Sequence, residues 1–480
     1  MGPVWASALS LHAVLALLFV GSVLRQRKEP MAMLSWILAI LFLPYVGIFF
    51  YWLLGSNRVV RRTHRRRRRI AHLMARIEEW AQPHLAAGGT ANRLPDDLAG
   101  IARLGERLAQ IPPVGGNAVQ VYQESGATFR ALEDALRGAR HHVHLEYYIW
   151  KPDKTGYAFR DLLIEQARAG VECRVLLDSV GCWRLGRRFV RPLLDAGAQV
   201  AFFLPLYRLR QRKRFSPHLR NHRKIAVIDG QVAFLGSQNI GDEYRGWRRA
   251  LSPWHDTHMR IHGPAALFLQ RTFAEDWLFA TRQDLVGEQY FCRPPQPGSS
   301  IVQILPTGPD QNVSPLEQIV FAAVSSARRS IRIATPYFVP DPGLRMALIH
   351  ACSRGVRVEL VLPTRSDSAI VLWAGRSFYA ELLEAGVRIH EYDGGVLHSK
   401  LITVDERWCM VGSANMDVRS FRLNFEITAL VYDPHVAGEL STSIAQFIQA
   451  ARPITHRDVR QRGLPRQLLE GTARLLTPLL

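Results

Sequence analysis

Asn221-His222-Arg223-Lys224 is followed by Asp229, five residues after the lysine, and then by Gly236-Ser237-Gln238-Asn239. His398-Ser399-Lys400 is followed by Asp405, again five residues after the lysine, and then by Gly412-Ser413-Ala414-Asn415. Both copies share the spacing His-x-Lys-x4-Asp. Residues two apart on a strand point to one face, so each copy presents an imidazole beside an ammonium. That pair suits a phosphodiester: the ring nitrogen attacks or moves a proton, and the cation holds developing charge on oxygen. One copy would be ordinary on a solvated strand. Two copies with the same downstream Gly-Ser-x-Asn carry a functional reading.

The duplication extends outward from these motifs. Val143-His144-Leu145-Glu146-Tyr147-Tyr148-Ile149 reads as a strand, Phe159 to Ala169 as a helix, and Glu172-Cys173-Arg174-Val175-Leu176-Leu177 as a second strand. The later half repeats the order with Ile331-Arg332-Ile333, a helix around Leu344 to Arg354, and Val356-Arg357-Val358-Glu359-Leu360-Val361-Leu362. Leu193-Leu194-Asp195-Ala196-Gly197 returns as Leu382-Leu383-Glu384-Ala385-Gly386. The expected fold class is therefore α/β, with two similar lobes at 115–290 and 291–450, each a mixed sheet flanked by helices.

An imidazole that moves protons needs a carboxylate on its distal nitrogen to fix its tautomer. Asp229 and Asp405 complete the motifs but close a strand, where turn or salt-bridge contacts are expected of them. The repeat offers other acids. Asp256-Thr257-His258-Met259-Arg260-Ile261-His262-Gly263-Pro264 and Glu426-Ile427-Thr428-Ala429-Leu430-Val431-Tyr432-Asp433-Pro434 superpose at a constant offset, which pairs Asp256 with Glu426 as the orienting acids.

Composition narrows the partner. The 480 residues carry 61 Lys and Arg against 41 Asp and Glu, a net +20, with 48% hydrophobic residues, too apolar for a disordered polycation. Eight arginines lie between Arg58 and Arg69, and eight basic residues, Arg208, Arg210, Arg212, Lys213, Arg214, Arg220, Arg223 and Lys224, approach the first histidine. Without these sixteen, the 61 basic residues fall to 45 against the 41 acidic. An excess placed there fits an enzyme holding an anionic head group at a membrane. The five cysteines are scattered, with no disulfide framework or zinc spacing. His141, His142 and His144 lack a matching carboxylate cluster, so no metal is expected at them.

Pro3 to Leu24 and Met31 to Leu54 are free of formal charge, each long enough for a membrane-crossing helix, with Pro44 and Gly47 as kink points in the second. Residues 1–56 are expected to form a retained transmembrane hairpin rather than a cleaved signal peptide, and 57–114 a basic linker and helix. The arginine run places the lobes in the cytoplasm by the positive-inside rule. Residues 451–480, leucine-rich with Arg466 and Arg474, either lie on the membrane as an interfacial helix or form a disordered tail.

The paired motifs resemble the phospholipase D superfamily over about residues 115 to 450. The resemblance implies two α/β lobes meeting at the active site and a two-step displacement through a phosphohistidine. It assigns Lys224, Lys400, Asn239, Asn415 and Ser413 to the substrate phosphate and requires no metal or other cofactor. It makes His222 the nucleophile and His398 the acid and base, with the reverse nearly as plausible by pseudo-symmetry. Leu219-Arg220-Asn221-His222-Arg223-Lys224, Asn239-Ile240-Gly241-Asp242-Glu243-Tyr244 and Trp254-His255-Asp256-Thr257-His258-Met259-Arg260 are similar to bacterial cardiolipin synthases, although Ser237, His255 and His262 depart from their usual wording. The implied reaction is phosphatidyl transfer between two phosphatidylglycerol molecules at a bacterial inner membrane, by a multi-pass protein. A phospholipase D releasing phosphatidate, a transferase using phosphatidylethanolamine and a membrane-tethered nuclease stay open, although nucleic acid is not the expected partner. Oligomeric state is not legible.

Overall fold

A computed structural model describes residues 3–25, 30–43, 45–52, 71, 75, 94–205, 219–247, 252–311 and 313–477. The arginine run from Arg58 to Arg69 and the basic stretch from Arg208 to Arg214 lie outside them. The chain divides into two compact units, one holding the N-terminal segment and the other both lobes.

In the large unit the first lobe supplies β1 (Val114–Tyr122), β2 (His142–Tyr147), β3 (Glu172–Asp178), β4 (Gln199–Phe203), β5 (Arg220–Asn221), β6 (Lys224–Ile228), β7 (Val232–Gly236), β8 (Trp254–His255) and β9 (His258–His262). The second supplies β10 (Ser300–Thr307), β11 (Ser330–Ala334), β12 (Arg357–Pro363), β13 (Arg388–Tyr392), β14 (Val396–Leu397), β15 (Leu401–Val404), β16 (Trp408–Gly412), β17 (Asn424–Tyr432) and β18 (Arg452–Ile454). Strands β1 and β10 pair antiparallel at the centre of one continuous sheet. Outward from that pair the order is β9-β7-β6-β2-β3-β4 on one side and β17-β16-β15-β11-β12-β13 on the other, so the duplication in sequence is a duplication in topology. β2-β3-β4 and β11-β12-β13 are parallel and the inner strands antiparallel, giving the expected mixed sheet.

Helices pack on the parallel strands, which bury polar as well as apolar side chains. Every residue of β2 is buried. Helix Lys154–Arg168 links β2 to β3, and helix Pro342–Ser353 links β11 to β12. Asp153 caps the first by accepting from Gly156 N, and Asp341 caps the second by accepting from Gly343 N and Leu344 N. The lobes share a core in which Ile225, Leu235 and Met259 of the first pack with Ile304, Val411 and Ile427 of the second. Helix Asp96–Ala109, within the expected linker, packs Leu98, Ile101 and Ala102 against Leu316, Ile319 and Ala323 of the second lobe.

Two expectations need correction. Residues 451–477 are neither a tail nor disordered: β18 pairs antiparallel with β13, and helices His456–Arg460 and Leu464–Leu475 follow. The single helix expected over Met31 to Leu54 is broken into Pro30–Phe42 and Val46–Phe50, with Tyr45 between them in the left-handed region at φ 62°. The break falls at the proline in the sequence, a residue without the backbone donor that a continuing helix needs. The 13-residue piece is only about 20 Å long. The first helix runs Pro3–Leu24, its side chains being described from Ser10. Among the described residues no helix is long and apolar enough to cross a membrane. Within this unit Tyr51 is buried between Phe19 and Trp36, and its hydroxyl meets Ser22 Oγ at 3.1 Å.

Candidate active site

The two histidine-bearing segments exchange partners between the lobes. β5, which ends at Asn221, pairs in parallel with the start of β17, where Phe425 stands opposite Asn221, and His222 N donates to Phe425 O at 2.9 Å. β14 of the second lobe pairs in parallel with β8 of the first, and His398 N donates to His255 O at 2.8 Å. The residue after Phe425 is Glu426, and the residue after His255 is Asp256. Each histidine is thereby set beside the acid of the opposite lobe.

His222 Nδ1 lies 3.0 Å from both carboxylate oxygens of Glu426, and His398 Nδ1 lies 2.7 Å from Asp256 Oδ1. The acids are fully sequestered, whereas the imidazoles keep 12% and 17% of their side-chain surface exposed. With Nδ1 engaged, Nε2 is the nitrogen left for substrate. Lys224 Nζ donates to His222 O at 2.6 Å and Lys400 Nζ to His398 O at 2.7 Å, so each ammonium is tied to its own motif. Tyr148 meets the His222 ring edge-on at 4.7 Å, and Trp254 packs on His398 at 5.2 Å while its Nε1 donates to Asp256 Oδ2 at 2.7 Å.

Burial sets the charges. It pushes His222 down to about 4 against the opposing pull of Glu426, and it lowers His398, with Lys400 adding to the effect. It also lowers Lys224 to about 7 and Lys400 to about 8, each opposed first by a catalytic-site carboxylate. Burial would raise Asp256, yet His398 and Lys400 hold it at about 2; Glu426 is likewise kept low by His222 and Lys224. At neutral pH His222 is a neutral ring, both acids are ionised and the two lysines lie close to deprotonation. An entering phosphodiester anion favours the charged lysines and strengthens its own binding.

Asp229 and Asp405 are not brought to this centre. Asp229 accepts from the backbone N–H of Arg140, His141 and His142, and Asp405 from those of Arg328, Arg329 and Ser330. β6 separates Lys224 from Asp229 by roughly 16 Å at strand rise. Both aspartates adopt positive φ, 51° and 54°, and each ties the start of the antiparallel neighbour of its own strand, β2 beside β6 and β11 beside β15. Ser413 is also corrected. It is fully buried, and its hydroxyl donates to Glu426 and accepts from Ile427 N within β17, so it positions the acid rather than reaching phosphate. Ser237 does the same for Asp256. Asn239 Oδ1 accepts from Ile149 N at 3.2 Å, and Asn415 Oδ1 is a buried acceptor with no hydrogen-bond partner in the structure.

A buried network beneath His222 escaped the sequence reading. Arg223 is ion-paired to Asp276 and donates to Glu426 O at 3.0 Å and Thr307 O at 3.1 Å, while Asn221 Nδ2 donates to Glu146. Burial and the Asp276 charge push the Glu146 carboxyl well up. The second lobe has Leu397 and Ser399 at the corresponding positions, so no motif comparison reveals this network. His142 and His144 are buried core rings, tilted against each other at 4.6 Å; His144 stacks on Phe273 and meets Gln270. Among the described residues no group of three or more His, Cys, Asp or Glu side chains is placed to hold a metal.

The family described as "Cardiolipin synthase, PLD-like domain" matches residues 132–277 and 320–448, the segments that carry both motifs and both acids. The chain belongs to the cardiolipin synthase family. Cardiolipin synthase of Geobacillus sp. (strain WCH70) is 36% identical over 491 residues, covering 98% of this chain and 94% of that one. The major cardiolipin synthase of Bacillus subtilis is 34% identical, covering 98% of each. Residues 14–56 match a second family, described as "Phospholipase_D-nuclease N-terminal". Among solved structures, phosphatidylserine synthase of Haemophilus influenzae has a similar fold, with a TM-score of 0.60 over 79% of this chain and all of that one, at 15% identity. The family is thus one of phosphatidyltransferases acting on phospholipid.

Proposed function

We propose that this enzyme transfers a phosphatidyl group from one phosphatidylglycerol to a second, releasing glycerol and forming cardiolipin. The observation that carries the reading is the pair of crossed His–carboxylate contacts between the lobes, with a lysine beside each histidine. His222 Nε2 attacks phosphorus, the bond to the glycerol oxygen breaks, and His398 delivers the proton that oxygen needs. A hydroxyl of the second lipid then gives a proton back to His398 and attacks phosphorus, and the P–N bond breaks. Lys224, Lys400, Asn239 and Asn415 stabilise the non-bridging oxygens. The 2.7 Å contact between His398 and Asp256 supports this division of labour, because a short charge-assisted bond favours the imidazolium a general acid requires.

The same reading places residues 1–56 in a bilayer as a hairpin, the lobes at 115–290 and 291–450 on its cytoplasmic side, and the basic residues along it against anionic lipid. Purified protein in vesicles, supplied with phosphatidylglycerol labelled in its terminal glycerol, tests the reaction. One free glycerol per cardiolipin is expected. Phosphatidate without cardiolipin would assign hydrolysis instead, and DNA cleavage without any lipid product would overturn the reading.

A further inference from the structure

Helix Leu464–Leu475 is amphipathic in the wrong sense for a water-facing element. On its inner face lie Glu470 and Ala473, both buried, with Glu470 held by Arg462 at 2.7 Å and Arg466 at 3.1 Å. Its outer face carries Leu464, Leu468 and Leu475, exposed at 66%, 62% and 80%. At 100° per residue these three fall within one narrow stripe, opposite Ala473. A helix docked on a protein by its charged residue, with leucines turned outward, has no apolar partner among the described residues.

The surroundings identify a partner by charge. Residues 452–477 contain six arginines and two acids, and both acids are already paired, Asp458 to Arg452 and Glu470 to Arg462 and Arg466. Arg466 and Arg474, on the flanks of the helix away from the leucine stripe, keep nearly half of their side chains exposed. The helix is firmly seated: Arg462 donates to Arg376 O, and the Arg474 guanidinium lies 4.5 Å over the Phe378 ring. It rests on helix Ala369–Arg376, which follows a loop bearing Asp367; that carboxylate accepts from the Tyr337 hydroxyl and acts on Lys400.

We propose that helix Leu464–Leu475 is an interfacial helix that inserts its leucine stripe into an anionic phospholipid surface and so holds the second lobe's side of the cleft against the bilayer. This rests on the reading of a lipid substrate, and its test is read without turnover. Full-length Leu468→Cys and Leu475→Cys proteins, labelled with an environment-sensitive bimane, are reconstituted into phosphatidylglycerol vesicles with or without bromine on the acyl chains. The unsubstituted chain, labelled in parallel, supplies the background from Cys292 and Cys352. Quenching of at least twofold by the brominated lipid at both positions is expected. Equal fluorescence in the two lipids overturns the proposal, as does a disulfide linking two copies of the Leu468→Cys protein without quenching, which would assign the stripe to self-association. As a second arm, Leu468→Glu/Leu475→Glu is expected to lower turnover on vesicles about tenfold while leaving turnover on monomeric short-chain phosphatidylglycerol within twofold. Equal losses on both substrates count against an interfacial role.

Discussion

Replacing Glu426 by Gln preserves shape and one hydrogen bond but removes the charge that balances His222. When Nε2 of His222 bonds to phosphorus with Nδ1 still protonated, the ring becomes cationic. Its nearest counter-charge is Glu426, a fully buried carboxylate whose oxygens lie 3.0 Å from Nδ1. Unit charges about 4 Å apart interact by about 4 kcal/mol at an effective dielectric of about 20. Loss of that term slows formation of the intermediate by roughly a thousandfold, with KM little changed, since the neutral resting ring gains little from the carboxylate. The assay is a rapid-quench single turnover with phosphatidylglycerol labelled in phosphorus, followed by counting label retained on protein. Glu426→Gln, a second-lobe change, should abolish label on first-lobe His222, whereas Asp256→Asn should impair departure of glycerol and activation of the acceptor. Added to His222→Ala, Glu426→Gln should cost nothing further. Activity within a factor of two of wild type, or losses that multiply with His222→Ala, would refute the crossed assignment.

The free-enzyme pH profile, read as kcat/KM, should be bell-shaped. Protonation of His222 near pH 4 removes the nucleophile on the acid side, and loss of the His398 acid proton, together with the Lys224 and Lys400 protons near pH 7 to 8, closes the alkaline side. Because a bound phosphodiester favours charged lysines, the alkaline limb of kcat should lie at higher pH than that of kcat/KM, and coincident limbs would contradict this. Asp229→Ala and Asp405→Ala should each cost about 1–3 kcal/mol of stability through unpaired backbone N–H groups. Thermal melts should fall while turnover per folded molecule stays within threefold. Ser413→Ala and Ser237→Ala should each lower kcat about tenfold without changing KM, since each hydroxyl holds a catalytic carboxylate rather than lipid; a KM effect alone would restore a phosphate role.

The duplicated α/β architecture was legible because strand and helix order repeats, and because two identical spacings mark one strand end in each lobe. Asp256 and Glu426 were legible as a pair from their constant offset. That they serve the opposite lobes was not, since the exchange depends on β5 meeting β17 and β14 meeting β8, pairings only two residues long that leave no periodic signal. Ser413 was misread because spacing fixes a position along a strand but not whether a hydroxyl faces the cleft or a buried acid. The Arg223–Asp276 pair joins residues 53 apart in a single lobe and lacks a counterpart in the other, so the repeat that exposed the rest concealed it.

The crossing of partners also bears on how such a chain arises. Neither lobe alone contains a histidine with its own acid, so a single lobe is catalytically incomplete. Two identical lobes related by a two-fold axis would complete each other, because an isologous interface makes every contact twice. The central β1–β10 pairing, antiparallel and flanked by the same strand order on both sides, has the form of such an interface. Joining the halves in one polypeptide releases them from identity. Glu426 beside one histidine and Asp256 beside the other, a charged network under His222 and a leucine before His398, are differences a symmetric pair of subunits could never hold. Under the proposed division of roles, covalent fusion is what lets one imidazole specialise in bonding to phosphorus while its twin carries protons.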